Sequence, residues 1–413
     1  MNEIGLAVDK NFELSSDWSE FRRQMPVTTR WAYFDHAAVA PLPKPAAEAI
    51  QRWSQAAMSQ GDVDWPKWER RIEQVRKLAA KMVNAEEQEV ALVPNTTTGI
   101  SYVAEGLDWT AGDNVVMSGG EFPSNVFPWM NLRSRGVEIR VVNSSVEANS
   151  DGEHSAGKID LNRLADACDR RTRLITLSWV GFASGYRVDP AEAARMAHDH
   201  GALFFLDAIQ GLGVFPLDVR ATDIDFFGAD GHKWMLGPEG AGLLYIKQQH
   251  LDCLRPQCVG WNSVVRRHDF SEKEMELRPE AARYEGGSQN MVGYHGLGES
   301  LELLRKFGLA SNHSLIANRV LQVTGQLCQR LLEIGATIIS SQENKTRSGI
   351  VSFQIPGQSP DQLRRHLLEL GVVLSVRNGA LRASAHAYNN QTDIEKLAEG
   401  ISDFMRKKTA SPS

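Results

Sequence analysis

Short apolar runs alternate with amphipathic helical patterns over most of the chain up to about residue 290. One helix is predicted to begin at Pro66, because apolar residues recur at steps of three and four positions from there to Met82. Strands that alternate with helices in this way predict a mostly parallel sheet with helices on both faces, an α/β fold. The predicted strands of this sheet span residues 90–93, 114–117, 137–142, 174–177, 203–206 and 242–246.

The pattern changes in the C-terminal part of the chain. Helical stretches dominate at first, and two later strands flank an Asn378-Gly379 turn, which is a typical hairpin signal. This order predicts a compact α+β unit. Its predicted elements are a helical stretch at 297–334, a strand at 350–355, a helix at 359–371, strands at 372–376 and 381–387, and a helix at 392–405.

The first 30 residues or so are predicted to form an arm that packs on the body of the protein. Trp18, Phe21 and Met25 are its candidate anchors. We therefore predict three parts: an N-terminal arm, 1–45, that joins the small domain, a large domain, 46–295, and a C-terminal small domain, 296–413.

Composition narrows the class of protein. The chain has 413 residues, 42% hydrophobic and 23% charged, as in an ordinary globular protein. A net charge of −6 without a basic block argues against nucleic acid or an anionic membrane surface as a partner. No apolar run approaches the length of a membrane span, and acidic residues at positions 3, 9 and 13 interrupt any signal sequence. The four cysteines lack the CxxC spacing of zinc or redox sites, so we expect a cytoplasmic protein without a metal.

An acid and a lysine follow two consecutive strand-like segments. Asp207 closes the apolar run 202–206, and Lys233 follows the run 224–227. Pyridoxal phosphate requires this pair, since the lysine forms a Schiff base and the acid keeps the pyridine nitrogen protonated. Either residue alone would be better interpreted as an N-cap aspartate or a surface lysine. Together they predict a site for this cofactor.

Other polar and aromatic residues follow neighbouring strands. Thr96 and Thr97 lie between a strand and a probable helix, where hydroxyl and free N–H groups bind phosphate, although such clusters are more often plain turns. Phe122 is a candidate to lie on the cofactor ring, or else a core aromatic. Gln210, three residues after Asp207, could reach the phenolic oxygen of the cofactor.

Five segments make the chain resemble the class V aminotransferases, a family that includes cysteine desulfurases, cysteine and cystine C–S lyases and isopenicillin N epimerase-like proteins. The resemblance covers about residues 30 to 400. It implies the fold type I of pyridoxal-phosphate enzymes and a homodimer whose active sites lie at the subunit boundary. The segments are Tyr33-Phe34-Asp35-His36-Ala37-Ala38, the Thr96-Thr97 turn, Asp207-Ala208-Ile209-Gln210-Gly211, Gly231-His232-Lys233 and Tyr284-Glu285-Gly286-Gly287-Ser288.

The resemblance implies a role for each matching residue. Lys233 corresponds to the lysine that binds the cofactor covalently, Asp207 to the partner of the pyridine nitrogen and Gln210 to the residue that bonds the phenolate. Phe122 replaces a histidine that commonly stacks on the ring. The implied phosphate ligands are the backbone near Thr96, Thr97, His232 and, from the other subunit, Ser288, which stands where the family usually has threonine.

Two residues are candidates for contact with the substrate. Arg382 resembles the arginine that binds the α-carboxylate, a task that suits its planar fork of donors. Without the resemblance, Arg382 would be interpreted as a surface salt-bridge residue on a strand. His36 is a candidate second base, although a lone histidine in an alanine-rich segment is more often structural.

The chain departs from the family at several positions. Desulfurases carry a nucleophilic cysteine on a loop shortly before the carboxylate-binding arginine, but residues 371–381 contain no cysteine, which disfavours a thiolate nucleophile. Phe182 stands where desulfurases often have asparagine. Asp230 stands where serine commonly helps to bind phosphate. A carboxylate would repel the phosphate, so we expect Asp230 to turn away or to bond the backbone.

The leading hypothesis is a pyridoxal-phosphate enzyme that cleaves a Cβ–S bond of a small amino acid by β-elimination, with Lys233 as the base. A second enzyme hypothesis is an aminotransferase or an epimerase built from the same residues. A hypothesis from another class is a non-catalytic nucleotide-binding scaffold. The lack of a G-x-G-x-x-G after the first strand weakens that last interpretation.

Overall fold

The computed structural model describes residues 17–143, 157–271 and 273–410. The strands in these ranges are β1 (Ala32–Tyr33), β2 (Val90–Val93), β3 (Asn114–Ser118), β4 (Glu138–Val142), β5 (Thr172–Ser178), β6 (Leu203–Asp207), β7 (Phe226–Asp230), β8 (Gly242–Ile246), β9 (Thr337–Ile338), β10 (Ile350–Gln354), β11 (Val372–Val373), β12 (Ser375–Arg377) and β13 (Ala380–Ser384). The α-helices are α1 (Trp18–Arg23), α2 (Lys44–Gln60), α3 (Trp65–Met82), α4 (Thr96–Gly106), α5 (Phe127–Asn131), α6 (Leu161–Asp166), α7 (Pro190–Asp199), α8 (Val219–Thr222), α9 (Met291–Lys306), α10 (Leu315–Glu333), α11 (Pro360–Glu369) and α12 (Gln391–Ala410). Of the helices in these ranges, none has the length and apolar character that a membrane crossing needs.

A seven-stranded sheet forms the centre of the molecule, with strand order β2-β8-β7-β6-β5-β3-β4. Only β8 runs antiparallel to its neighbours within this sheet. All six strands predicted for this sheet are confirmed, with ends shifted by up to two residues. The α/β fold predicted from the alternation of strands and helices is therefore confirmed.

Both faces of the large sheet are covered, because successive strand residues point to opposite sides. On β6, Phe204 packs in one apolar cluster with residues of α3, α7 and α9, while Phe205 packs in another with Ile100 of α4 and Trp129 of α5. All these side chains are buried. The near-continuous apolar sequence of the strands reflects this burial on two faces.

One predicted strand of the C-terminal part is divided in the structure. The predicted strand 372–376 forms two strands, since β11 pairs with β1 while β12 pairs with β13 of a four-stranded sheet, order β12-β13-β10-β9. The predicted helical stretch 297–334 contains the end of α9 and the whole of α10, and Gly308, with φ +83°, follows the end of α9. The division of the chain into residues 1–45, 46–295 and 296–413 stays a prediction.

A buried carboxylate at the amino end of β7 predicts a pH-dependent contribution to stability. Asp225 accepts hydrogen bonds from the Phe204 N–H (2.8 Å), His198 Nε2 (2.8 Å) and His250 Nε2 (2.7 Å). Burial by itself raises the pKa of Asp225. The hydrogen bonds from His250, His198 and the backbone together lower this pKa by more than burial raises it, so the net shift is downward. A lowered folded-state pKa adds stability that is present above the unfolded value of about 3.9 and is lost below it.

We therefore expect Asp225→Asn to lower the free energy of unfolding by about 2 kcal/mol near pH 7. The difference from the parent protein should shrink below about pH 4, where the parent carboxylate protonates as well. Urea unfolding followed by circular dichroism at a series of pH values measures both effects. A difference that stays constant across this pH range would contradict the expectation.

Candidate active site

The carboxyl ends of the central parallel strands open into a cavity of about 270 Å³. Asp207 is the last residue of β6, and Lys233 follows the last residue of β7 by three positions. Parallel neighbouring strands end at the same edge, so the two segments deliver an acid and an amine to one cavity. Its lining consists of predicted site residues and their close neighbours: Ala37, Ala38, Asn95, Thr96, Thr97, Phe122, Ser124, Phe182, Asp207, Ile209, Gln210, Asp230, His232, Lys233, Arg377 and Arg382.

Eight of the ten predicted site residues line this cavity, namely Thr96, Thr97, Phe122, Asp207, Gln210, His232, Lys233 and Arg382. The two predicted residues outside this lining are His36 and Ser288.

Burial favours the uncharged forms of Asp207 and Lys233, the two central groups of the cavity. Lys233 and Asp207 are 8% and 2% exposed. Burial lowers the pKa of Lys233 to about 8, against the opposing attraction of Asp207. Burial also raises the pKa of Asp207 to about 6, although the Ile209 N–H and the Lys233 charge oppose this. An amine and an acid that titrate near neutral pH are typical of a catalytic site.

The N-terminus of α4 borders the cavity. The helix begins at Thr96, and its cap Asn95 accepts a hydrogen bond from the Thr98 N–H. Thr96 Oγ1 accepts from the Asp230 N–H at 2.9 Å, and Thr97 Oγ1 donates to Ser124 Oγ at 2.8 Å. The first N–H groups of a helix have no partner within the helix, so this end suits an anion such as phosphate.

Phe122 lies beside the lysine. Lys233 Nζ is 5.5 Å from the centre of the Phe122 ring, which packs edge-on against Phe182 at 5.2 Å. The preceding Glu121, to which the sequence analysis assigned no role, is buried and accepts hydrogen bonds from Asn125 and from the Ser178 N–H and hydroxyl. Burial raises the pKa of Glu121 to about 7.

Gln210 and His36 occupy different environments. Gln210 lines the cavity, where its amide accepts from Trp234 Nε1 (2.7 Å) and donates to the Ala37 carbonyl (3.0 Å). His36 is fully buried, and its Nε2 lies 2.6 Å from the Tyr388 hydroxyl. This position favours the structural interpretation of His36 over that of a base facing a substrate.

Arg382 is held by three protein groups. Its Nε donates to Ser375 Oγ (3.1 Å), one terminal nitrogen donates to the Phe182 carbonyl (2.7 Å), and the other lies 3.3 Å from Asp35 Oδ1. Arg377 lines the same cavity, but the sequence analysis did not identify it as a site residue. The feature that could have revealed it is its position two residues after Ser375 on β12, because this spacing places both side chains on one face of the strand.

Asp230 and Ser288, both considered for the predicted phosphate site, lie in different surroundings. His232 Nδ1 lies 2.9 Å from Asp230 Oδ2, so the Asp230 carboxylate faces an imidazole, whereas the sequence analysis expected it to turn away or to bond the backbone. Ser288 lines a different cavity, of about 550 Å³, with Gly286, Gly287 and Gln289. Ser288 and Lys233 therefore do not share a cavity within one chain.

The side chains of the Lys233 cavity fit pyridoxal phosphate. The buried amine of Lys233 suits its aldehyde, and the Asp207 carboxyl suits its pyridine nitrogen. The N-terminus of α4 suits its phosphate. The cavity thus offers a complementary group for the aldehyde, the pyridine nitrogen and the phosphate of the cofactor.

Comparisons with known proteins show the family to which the chain belongs. The chain matches the family described as Aminotransferase class-V over residues 32–397. It is 31% identical to a probable cysteine desulfurase of Methanothermobacter thermautotrophicus, with 93% of this chain and 97% of that protein covered. It is 30% identical to a cysteine desulfurase of Shigella flexneri, with the same coverage of 93% and 97%.

Solved structures show the same fold. An apo cysteine desulfurase from Thermococcus onnurineus NA1 has a TM-score of 0.82 at 24% identity and covers 94% of this chain and 98% of its own. The cystine C–S lyase C-DES, in complex with cysteine persulfide, has a TM-score of 0.83 at 24% identity, covering 92% and 99%. The family match and the relatives at 30–31% identity set aside the hypothesis of a non-catalytic nucleotide-binding scaffold. The chain belongs to the class-V aminotransferase family and is a pyridoxal-phosphate-dependent enzyme.

Proposed function

We propose that this enzyme cleaves the Cβ–S bond of a small amino acid by β-elimination. The observation that carries the proposal is the buried Lys233 amine in one cavity with Asp207 and Arg382. Relatives at 30–31% identity bear the name cysteine desulfurase, which supports a sulfur-containing substrate.

Lys233 is the proposed base. When bound, pyridoxal phosphate withdraws electrons from the substrate Cα, and the Asp207 carboxylate supports this by facing the pyridine nitrogen. Lys233 Nζ would take the Cα proton, since its lowered pKa gives it a larger neutral fraction near physiological pH than an ordinary lysine has. Phe122, without an ionisable group, covers the site but moves no proton.

Arg382 is proposed to bind the α-carboxylate of the substrate. Its guanidinium is fixed by Ser375, Phe182 and Asp35, so binding a carboxylate costs little side-chain ordering. We propose Arg377 as a second cation of the same site. The side chains of Thr97 and His232, with the backbone at Thr96, are proposed to hold the cofactor phosphate, and Gln210 its phenolic oxygen.

A persulfide-forming cysteine is not part of the proposal. Residues 371–381 contain no cysteine, and the β12–β13 connection is the tight Asn378-Gly379 turn, with φ values of +50° and +74°. None of the four cysteines lines the cavity of Lys233 in the described chain. Sulfur is therefore proposed to leave from Cβ as a free sulfur product instead of passing to an enzyme thiol, and water then converts the remaining three-carbon fragment to pyruvate and ammonia.

We also propose a homodimer with shared active sites. Ser288, the expected phosphate ligand from a second subunit, lies outside the cavity that holds Lys233 of its own chain. A second copy that supplies this residue would complete the phosphate site. A cytoplasmic location stays a prediction.

A panel of amino acids tests the proposed reaction. With cysteine or cystine we expect pyruvate and a reduced sulfur product in equal amounts, because β-elimination releases both. Formation of pyridoxamine phosphate would instead identify an aminotransferase, and loss of optical rotation without pyruvate an epimerase. Either of these results, with no sulfur release, would refute the proposed reaction.

The pKa of Lys233 predicts how the apoenzyme takes up its cofactor. Only a neutral amine can attack the cofactor aldehyde, and burial lowers this pKa from 10.5 to about 8. We expect the rate of cofactor attachment to rise with pH through a midpoint near 8. Stopped-flow absorbance with apoenzyme and pyridoxal phosphate measures this rate, and a midpoint near 10 would contradict the expectation.

A further inference from the structure

Three charged side chains meet beside the Lys233 cavity. Ser375 and Arg377 point to one face of β12, and Arg382 lies directly opposite Ser375 on β13. Both arginines therefore reach the cavity from the same face of the small sheet. Asp35, which follows β1, lies 3.3 Å from Arg382 and is the carboxylate nearest to this pair in the described residues.

The other charges around the cavity are matched by the cofactor or by each other. Asp207 and Lys233 face the two reactive ends of the cofactor under the proposed function, and Asp230 pairs with His232. The Glu121 carboxylate accepts hydrogen bonds from Ser178 and Asn125. Two arginines and one aspartate remain, with a net charge of one positive unit.

Arg377 differs from Arg382 in its contacts. The one hydrogen bond of its side chain goes to the carbonyl of the adjacent Val376, at 2.8 Å, and no carboxylate of the described residues lies within ion-pair distance of it. Asp35 is close enough to both arginines for each to lower the pKa of its carboxyl, against the larger effect of burial. Asp35 therefore offsets one positive charge of a two-arginine site.

We propose that Asp35 is a specificity-determining residue, whose carboxylate leaves this site with a single net positive charge. The site then matches an amino acid with one carboxylate and disfavours an acidic side chain, which would add an unbalanced negative charge. The inference rests on the proposed function, because it requires Arg382 to bind the α-carboxylate.

The test compares two unreactive ligands, propionate with one carboxylate and succinate with two. Their dissociation constants are measured by calorimetry on the cofactor-loaded enzyme. For the parent enzyme we expect succinate to bind no more tightly than propionate. Asp35→Asn should raise the affinity for succinate relative to propionate on the order of tenfold, since one repulsive charge is removed. Asp35→Glu, which keeps the charge, should stay close to the parent ratio.

Arg377→Gln provides a second variant that leaves the Asp35–Arg382 pair intact. It should disfavour succinate further, also on the order of tenfold, because the site loses its net positive charge. Combining Asp35→Asn with Arg377→Gln should restore the parent ratio. A purely structural role of Asp35 would not produce this restoration. Melting temperatures show which variants are folded. If Asp35→Asn is not folded, the affinity ratio of Arg377→Gln tests whether the net charge of the site sets the preference between the two ligands.

Two results would overturn the inference, and they are distinguishable. If propionate binds the parent enzyme but the affinity ratio is the same in all folded variants, Asp35 does not set specificity and the proposed function stands. If propionate does not bind the parent enzyme, or binds Arg382→Gln equally well, the assignment of the α-carboxylate site fails as well.

Discussion

Replacing Lys233 with alanine is expected to lower turnover on the order of 10³-fold or more and to remove the covalent link to the cofactor. The reason is that one amine supplies both the attachment point and the proposed base. It is 8% exposed, with a pKa lowered to about 8. Borohydride reduction followed by peptide mapping should find the cofactor on Lys233 of the parent protein and on no peptide of the variant.

Lys67→Ala provides a matched control. Lys67 is a largely exposed lysine of α3, with an ion pair to Asp64, so its loss should leave turnover and cofactor attachment close to those of the parent. If Lys233→Ala kept the covalent cofactor, or if the mapping found it on another lysine, the proposed site would be wrong.

Replacing Arg76 with methionine is expected to lower the free energy of unfolding by about 3–5 kcal/mol. Arg76 is 4% exposed and donates to the Glu285 carboxylate and to the Val90 carbonyl, the latter at 2.8 Å. Without Arg76, the Glu285 carboxylate, 1% exposed, would stay buried without its cation. Glu285 also accepts the Leu92 N–H at 2.8 Å, so the damage should reach β2.

Denaturant unfolding of parent and variant measures this loss. Arg70→Met, an exposed arginine on the same helix, is the matched control and should change stability by less than about 0.5 kcal/mol. Adding Glu285→Gln to Arg76→Met should recover part of the loss, because glutamine keeps an acceptor for Leu92 without the buried charge. Equal stability of Arg76→Met and Arg70→Met would refute the importance of this pair.

The site at the ends of the parallel strands could be predicted from the sequence. Asp207 and Lys233 each follow a recognisable apolar run, and parallel strands bring their carboxyl ends to one edge of the sheet. Thr96 and Phe122 follow β2 and β3 in the same way. The part of the site proposed to bind the cofactor could therefore be predicted from the order of strands and polar residues along the chain.

The substrate side depended on contacts that local order does not contain. Asp35 meets Arg382 across 347 positions of sequence, and Arg377 enters the cavity only because β12 pairs with β13 in a given register. The motif containing His36 was recognised, yet packing directs its ring towards Tyr388 in the interior.

The sequence by itself therefore determined the α/β fold, the family resemblance and the candidate cofactor-binding residues, because periodicity and strand ends are local properties of the chain. Tertiary structure alone decided the charge balance around Arg382, the burial of His36 and the division of residues 372–376 between two sheets. The physical reason is that the direction of a side chain, and the partner it meets, follow from packing between distant segments.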